Sequence, residues 1–451
     1  MRRFENSFPL RRTSWLAAVF LLCLPWPTAG QDKSLTIAQS VPAQTQAGLP
    51  SATLTIEDAV GIALQNQPRI RQAIERVRAQ EAVVGQEMAA YYPSLRFEQS
   101  YGTLATGFRA GPEPEATARL SSDYTLYNFG KREGVVQSER DTLYAQRFNH
   151  SATTNDVILG VKQAYYQYLA VDALVRVREE AVKSRDLLVN QARGFFEVGT
   201  RAKIDVARAE SNFYSARADL IAAQNGAQIG LANLKNAMGV DQLPGRPVLP
   251  AQLPTPLPIL TLDEARAAAY VTRPELKSFE AQRKAQDQRI ATARRGHLPD
   301  LAVGADVGRE GSSINPPGHF RWNAFWEVGV SLTIPIFDGL RTTYQVQEEL
   351  RNYYLIRAQE EERKQAVALE VESSYLRIVE AEGRIKANDA ALAAARENFE
   401  LATGRYQVGV GTIIEVTDAQ STYTDAQTRY IQSVYDHKIA EAQLARAIGE
   451  R

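Results

Sequence analysis

Two carboxylates three residues apart, Glu415 and Asp418, form the most suggestive charged pair in the sequence. At that spacing they share one helix face, and a symmetric assembly would gather copies of the face into rings of negative charge. Such rings sort ions by sign; they break no bond. Thr412 completes a helix-start signature with Glu415, and Asp205 also falls in a first helical turn, where backbone dipoles favour a carboxylate. Capping alone would therefore account for Asp205 and Glu415. The other distinctive motif is Val-Gly, at Val198-Gly199 and again at Val408-Gly409, where each glycine suits a turn with positive φ.

Nothing else has the spacing of a catalytic centre. There is no P-loop, nucleophile elbow or dinucleotide fingerprint, and His150, His297, His319 and His437 are too scattered to pair as ligands. The sequence therefore predicts no enzyme, no cofactor and no metal. With 52 basic and 52 acidic residues among 451, it offers no charge for nucleic acid. Arg2, Arg3, Arg11 and Arg12 precede the apolar run WLAAVFLLCL and the small residues Thr28 to Gly30, which marks residues 1–30 as a secretory signal peptide. Cleavage would remove Cys23, the single cysteine. Bulky Leu22 before it argues against lipoprotein processing. Residues 31–53 read as a flexible leader. No later run approaches the roughly 18 apolar residues of a membrane helix.

The elements that position the tip residues come twice. LTIEDA at Leu54 returns as LTLDEA at Leu260, and Ala59, Ala63, Pro68, Ala79, Gln80, Pro93, Leu95 and Gly102 all recur 206 places on. Gly130 and Arg132 match Gly339 and Arg341, the Val-Gly turns match each other, and Gly239 matches Gly449. Two repeats, 54–239 and 260–449, flank a proline-rich linker, 240–259. Each repeat opens with a capping box, Thr55 with Asp58 and Thr261 with Glu264, and each first helix is interrupted at Pro68 or Pro274.

The period then changes to two, predicting strands at about 94–104, 117–128, 300–309 and 323–334. Proline-free stretches from about Gly134 to Gly194 and Thr343 to Gly404 predict helices of some 60 residues, about 90 Å long. Their apolar positions fall seven apart, from Val161 through Tyr168 to Phe196 and from Val371 through Ile378 to Phe399. The return helices repeat the period from Val206 to Leu234 and from Val416 through His437 to Leu444. Sustained heptads mean supercoiled hairpins.

The strands have bilayer-spanning length and one apolar face, with Tyr101, Tyr127, Phe325 and Trp326 as interface aromatics. A soluble sheet on a helix would show the same alternation. In lipid, however, four strands leave two edges that only further copies could pair. Three copies would close twelve strands.

The paired halves, the QNQP motif at Gln65 to Pro68, and the segments FFEVGTRAKIDVARAES and RYQVGVGTIIEVTDAQS resemble the TolC family of outer-membrane efflux proteins. The resemblance implies a mainly α protein with a membrane β-barrel part, a homotrimer whose twelve-stranded barrel continues as a helical tunnel. It further implies the outer membrane of a Gram-negative bacterium, and as partners outer-membrane lipid, a periplasmic adaptor (membrane fusion protein) and an inner-membrane RND or ABC transporter. The exported substrates would be drugs, other small molecules or secreted proteins. By the same resemblance Val198, Gly199, Thr200, Val408, Gly409 and Val410 receive the adaptor. Glu415 and Asp418 line the closed aperture, and Asp205 and Tyr406 belong to the links that hold it shut. The arginine of those links is missing, because Gly411 stands at its position; Arg201 is the candidate substitute. A soluble periplasmic coiled-coil scaffold or adaptor is the alternative from another class.

Overall fold

A computed structural model describes residues 53–104, 113–248, 261–313 and 320–450. The signal peptide, nearly all of the leader, much of the linker and His319 lie outside them. The first repeat runs β1 (Thr53–Leu54), α1 (Ile56–Asn66), α2 (Pro68–Met88), β2 (Ser94–Leu104), β3 (Glu113–Tyr127), α3 (Lys131–Glu197) and α4 (Lys203–Met238), followed by β4 (Arg246–Pro247). The second gives α5 (Leu262–Thr272), α6 (Pro274–Arg294), β5 (Asp300–Ser313), β6 (Phe320–Thr333), α7 (Arg341–Gln407) and α8 (Ile413–Ile448). Equivalent helices have equal lengths: 11, 21, 67 and 36 residues in each repeat.

Local chemistry sets the boundaries. Both capping boxes close, the Asp58 and Glu264 amides donating to the Thr55 and Thr261 hydroxyls while the carboxylates accept from the threonine amides. Pro68 and Pro274 do more than interrupt: each is the first residue of the next helix, where a missing N–H costs nothing. The long helices have 67 residues and so reach about 100 Å, a turn or two beyond the expectation.

The strands also correct the sequence bounds. β3 begins at Glu113 rather than near 117, β5 continues to Ser313, and β6 starts at Phe320. Turn-like Gly311, Ser312 and Ser313 hide the extra rungs of β5, and Pro114 those of β3, which cross-strand pairing supports. One antiparallel sheet runs in the order β2-β3-β5-β6, so the two repeats join at the β3–β5 ladder. On its apolar face the register aligns Tyr101, Ala116, Gly311 and Trp322 in one row. Ten residues along β6 from Trp322 lies Leu332, which at 35–45° of tilt makes an apolar band of about 25 Å. Phe97, Trp326, Val328, Val330 and Leu332 stand exposed there. The opposite face is polar, with Arg119 3.0 Å from Glu98 and 3.8 Å from Asp306. Phe325 shares that polar face, in line with Gly308, so it is no lipid-facing aromatic.

The heptads prove to be only half of each seam. In α8 the series from Val416 to Leu444 interleaves with Ala419, Ala426, Ser433, Ala440 and Ala447, all buried. In α4 the interleaved positions are Ala209, Ala216, Ala223, Gly230 and Ala237. Large and small alternate three and four apart, which lets the paired helices approach closely. Phe196, the last of its series, is exposed at the tip.

Where strand gives way to helix, both repeats place two successive residues at positive φ, Phe129 and Gly130 in one and Gly339 and Leu340 in the other. The helices start 210 residues apart, so Gly130 is equivalent to Leu340 and not to Gly339; the glycine has moved one place.

The roots of the hairpins differ in kind. Around α1 the core is apolar, and Tyr165, fully buried, donates to the carbonyls of Leu54 (2.7 Å) and Val248 (2.6 Å), clasping the parallel β1–β4 pair. These two short strands have no sequence signal. At the second root Arg273, 1% exposed, meets Glu370 at 2.5 Å and Glu275 at 3.6 Å. Arg446 reaches Asp156 (2.6 Å), Glu275 (2.8 Å) and Glu370 (2.9 Å), and Arg363 reaches both glutamates. The first repeat has Gln67, Thr153, Gly160 and Asn236 at the positions of Arg273, Arg363, Glu370 and Arg446.

Candidate functional site

The two hairpin turns share one core. Leu188, Val189 and Ala192 of α3, Ala209 of α4, Ala402 and Tyr406 of α7, and Ile413, Val416 and Ala419 of α8 are buried together. On it sit the turns Val198-Gly199-Thr200 and Val408-Gly409-Val410. Gly199 (φ 77°) and Gly409 (φ 86°) take the left-handed conformation that favours glycine. The amide of Thr200 returns to Phe195 O at 2.9 Å and that of Val410 to Arg405 O at 3.0 Å. The three valines, Val198, Val408 and Val410, are each about 70% exposed, an apolar tip in water.

Arg201 joins the hairpins. Its Nη2 donates to Gly411 O at 2.7 Å and to Gly409 O at 3.0 Å, and its guanidinium lies 5.5 Å from the Tyr406 ring centre. Carbonyl acceptors leave no residue-type signature, which is why the sequence names Arg201 but not its partners. Gly411 sits in a tight place: a Cβ there would lie 3.0 Å from the Arg405 carbonyl carbon and the Tyr406 nitrogen, so a side chain fits only if that backbone gives by a few tenths of an ångström. Arg201 approaches the same spot from the other hairpin.

Tyr406 is fully buried, edge to face with Phe195 at 5.6 Å. Its hydroxyl has no hydrogen-bond partner among the described residues. Burial, then the charge of Asp205, pushes the phenol above its ordinary range, and Arg201 pulls the other way. Asp205 and Tyr406 are therefore neighbours without a bond between them. The Asp205 amide donates to Ala202 O at 3.0 Å.

Glu415 is exposed, and its amide donates to the Thr412 hydroxyl at 3.3 Å. Its carboxylate meets that hydroxyl rather than the Thr412 amide, so this capping box is half closed. Arg405, which sequence reasoning passed over, lies 3.6 Å from the Glu415 carboxylate. Asp418 is exposed one turn on with no ion pair among the described residues. Sequence reasoning also missed Arg185, whose guanidinium is half-buried in the α3 seam. It donates to Asn212 O at 2.9 Å and reaches Ser421 Oγ at 3.4 Å. A charged residue at a heptad position is easily read as a solvated one.

Among the described residues no cluster of potential ligands could hold a metal, and no helix is long and apolar enough to cross a membrane. The site can attract, repel and latch.

A family model described as outer membrane efflux protein matches residues 59–240 and 266–450. The outer membrane protein TolC of Vibrio cholerae is 26% identical over 406 residues, covering 86% of this chain and 89% of that protein. The protein CyaE of Bordetella pertussis is 25% identical over 410 residues, covering 88% and 84%. In structure, the outer-membrane channel OprN aligns with a TM-score of 0.76 at 16% identity, over 88% of this chain and 90% of its own.

Proposed function

This chain belongs to the outer membrane efflux protein family, and from that premise we propose how it assembles and how its passage is controlled. It is the outer-membrane tunnel of a tripartite efflux or secretion system. The soluble-scaffold alternative gives way to that membership.

Three copies close the barrel. The observation that carries this is the sheet: β2 and β6 each pair on one side only among the described residues, and lipid cannot satisfy a bare edge. The hairpins then continue the barrel about 100 Å into the periplasm. Their exposed valine tips receive the adaptor's helices. Conduction is passive, and an RND or ABC transporter in the inner membrane supplies the energy and selects among drugs, other small molecules or proteins.

Glu415 and Asp418 form the carboxylate rings of the periplasmic aperture. Arg405 tempers the first, which leaves Asp418 the stronger ring. Arg201 serves as the latch in place of the arginine that Gly411 lacks, and Tyr406 with Asp205 forms its buried floor. Conductance of the purified trimer in a planar bilayer tests this, with the Glu415→Ala, Asp418→Ala variant beside it. The parent should be cation-selective and the variant clearly less so. Equal selectivity would remove both residues from the pore lining, and no conductance from folded trimer would end the channel reading.

A further inference from the structure

The two hairpins of the chain meet where α3 lies along α8, and one guanidinium in that seam lacks an acid on its own hairpin. Arg178, Arg185 and Arg193 of α3 all face α4. Arg178 lies 4.0 Å from Asp219, and Arg193 lies 2.6 Å from Glu210. One heptad separates Arg178 from Arg185, and one separates Asp219 from Asn212, so the register offers Arg185 an amide where its neighbour has a carboxylate. Arg185 takes the Asn212 backbone carbonyl, at 2.9 Å, and turns its other terminal nitrogen across the seam to Ser421 Oγ at 3.4 Å. In the second repeat the same place holds Ala395, which is buried, so α7 carries no such arm.

Among the described residues no carboxylate pairs with Arg185. Half-burial strips water from its guanidinium, and a carbonyl and a hydroxyl are neutral replacements. Burial pushes it below its ordinary range; Asp219 and, more weakly, Asp425 pull it back against the charge of Arg178. Its hold is uneven, short to its own hairpin and long to the other. The facing part of α8 is under-bonded too. Gln420, beside Ser421, is 3% exposed, and its amide nitrogen has no hydrogen-bond partner among the described residues. Four residues past Ser421, on the same helix face, Asp425 is exposed and in no ion pair among the described residues. That step is about 6 Å along the axis. A better acceptor therefore stands one turn from the one in use.

We infer that Arg185 is a positioning residue of the gate that changes partners instead of letting go: it holds Ser421 in the closed tip and passes to Asp425 as α8 moves against α3. The inference rests on the reading of the tip as a gate. The bond to Asn212 O keeps the arm on the first hairpin, so its contact on α8 steps by one turn, from one discrete seat to the next. The closed seat is a neutral hydroxyl and the open seat a carboxylate, which offsets part of what is lost when the tips part. Arg185 thus gives each state a contact, and the choice of acceptor on α8 sets the balance between them.

Two exposed positions test this without disturbing a core. Ser421→Asp puts a carboxylate on the closed seat, and Asp425→Asn takes it from the open one. Recorded as single trimers in a planar bilayer at fixed voltage and salt, each should lower the open fraction about threefold, the weight of a part-exposed ion pair. Both effects should vanish in an Arg185→Gln background. If Asp425→Asn leaves the open fraction unchanged, or lowers it equally in that background, the exchange is wrong and Arg185 merely ties the seam. Should the Arg185→Gln chain not assemble, Asp425→Glu is the comparison: with a carboxylate kept, the open fraction should return to the parent's, and failure to return overturns the exchange. A folded parent trimer that never conducts overturns the gate reading itself instead.

Discussion

Replacing Arg201 with alanine removes one guanidinium and, with it, both hydrogen bonds between the hairpin tips. The acceptors are the carbonyls of Gly409 and Gly411 at 3.0 and 2.7 Å, and hydrogen bonds to a charged group contribute about 1.5–3 kcal/mol each. Only the bond to Gly411 is shielded from water, so the pair together holds the tips by about 2 kcal/mol. At 1.4 kcal/mol per tenfold, that shifts the closed-to-open ratio by roughly thirtyfold. Single-channel recording reads this directly as longer or more frequent openings at fixed voltage and salt. Arg201→Lys keeps the charge but loses the fork, and should fall between the two. Tyr406→Phe is the control: its hydroxyl has no partner in the chain, so openings should stay near the parent's. If Arg201→Ala opens no more than the parent while Tyr406→Phe opens more, the latch belongs to the tyrosine and this reasoning fails.

Two further outcomes concern the roots. Glu370→Gln takes the nearer partner from buried Arg273 and should cost about 2–3 kcal/mol, less than a fully buried pair because Glu370 is 39% exposed, read as earlier thermal loss of helical signal. Arg273→Met together with Glu370→Gln should recover part of that loss, because the buried guanidinium left with Glu275 alone, at 3.6 Å, is gone. Burial pushes the phenols of Tyr165 and Tyr166 up to about 12. The folded chain keeps protons that the unfolded chain releases near pH 10, so these groups leave stability unchanged below about pH 10 and erode it from there toward 12. Phenolate absorbance should rise together with loss of helix in that window, and Tyr165→Phe should weaken the coupling. It should also cost about 1–3 kcal/mol at neutral pH, by taking the donor from the Val248 carbonyl, while Leu54 O keeps the Val248 amide.

Much of the architecture was legible because its signals are local or periodic. Thr55 with Asp58, Pro68, the Val-Gly turns and the seven-residue spacing each act on the nearest turn of backbone, and each recurs. What escaped depends on partners far along the chain. Ala419 and Ala426 read as mere helix formers until α7 lies against them, and Tyr165 gives no sign that it will clasp strands 111 and 83 residues away. The one-place shift between Gly130 and Leu340 is invisible to matching by identity, because glycine matches glycine while the backbone matches φ. At the tip, type and resemblance singled out candidate residues. Neither showed their bonds, since Arg201 binds carbonyls and Glu415 meets an arginine that had no reason to stand out.

The Tyr165 clasp has a consequence for how the doubled chain holds together. Every group in it, Thr53 and Leu54, Tyr165, Arg246 to Val248, precedes the second repeat, so it closes before that repeat begins. The halves are held to each other by the β3–β5 ladder and by α3 lying on α6 and α8. Covalent continuity between the repeats and physical cohesion between them are therefore separate matters. The connector delivers the second half, and the ladder and the helix faces keep it.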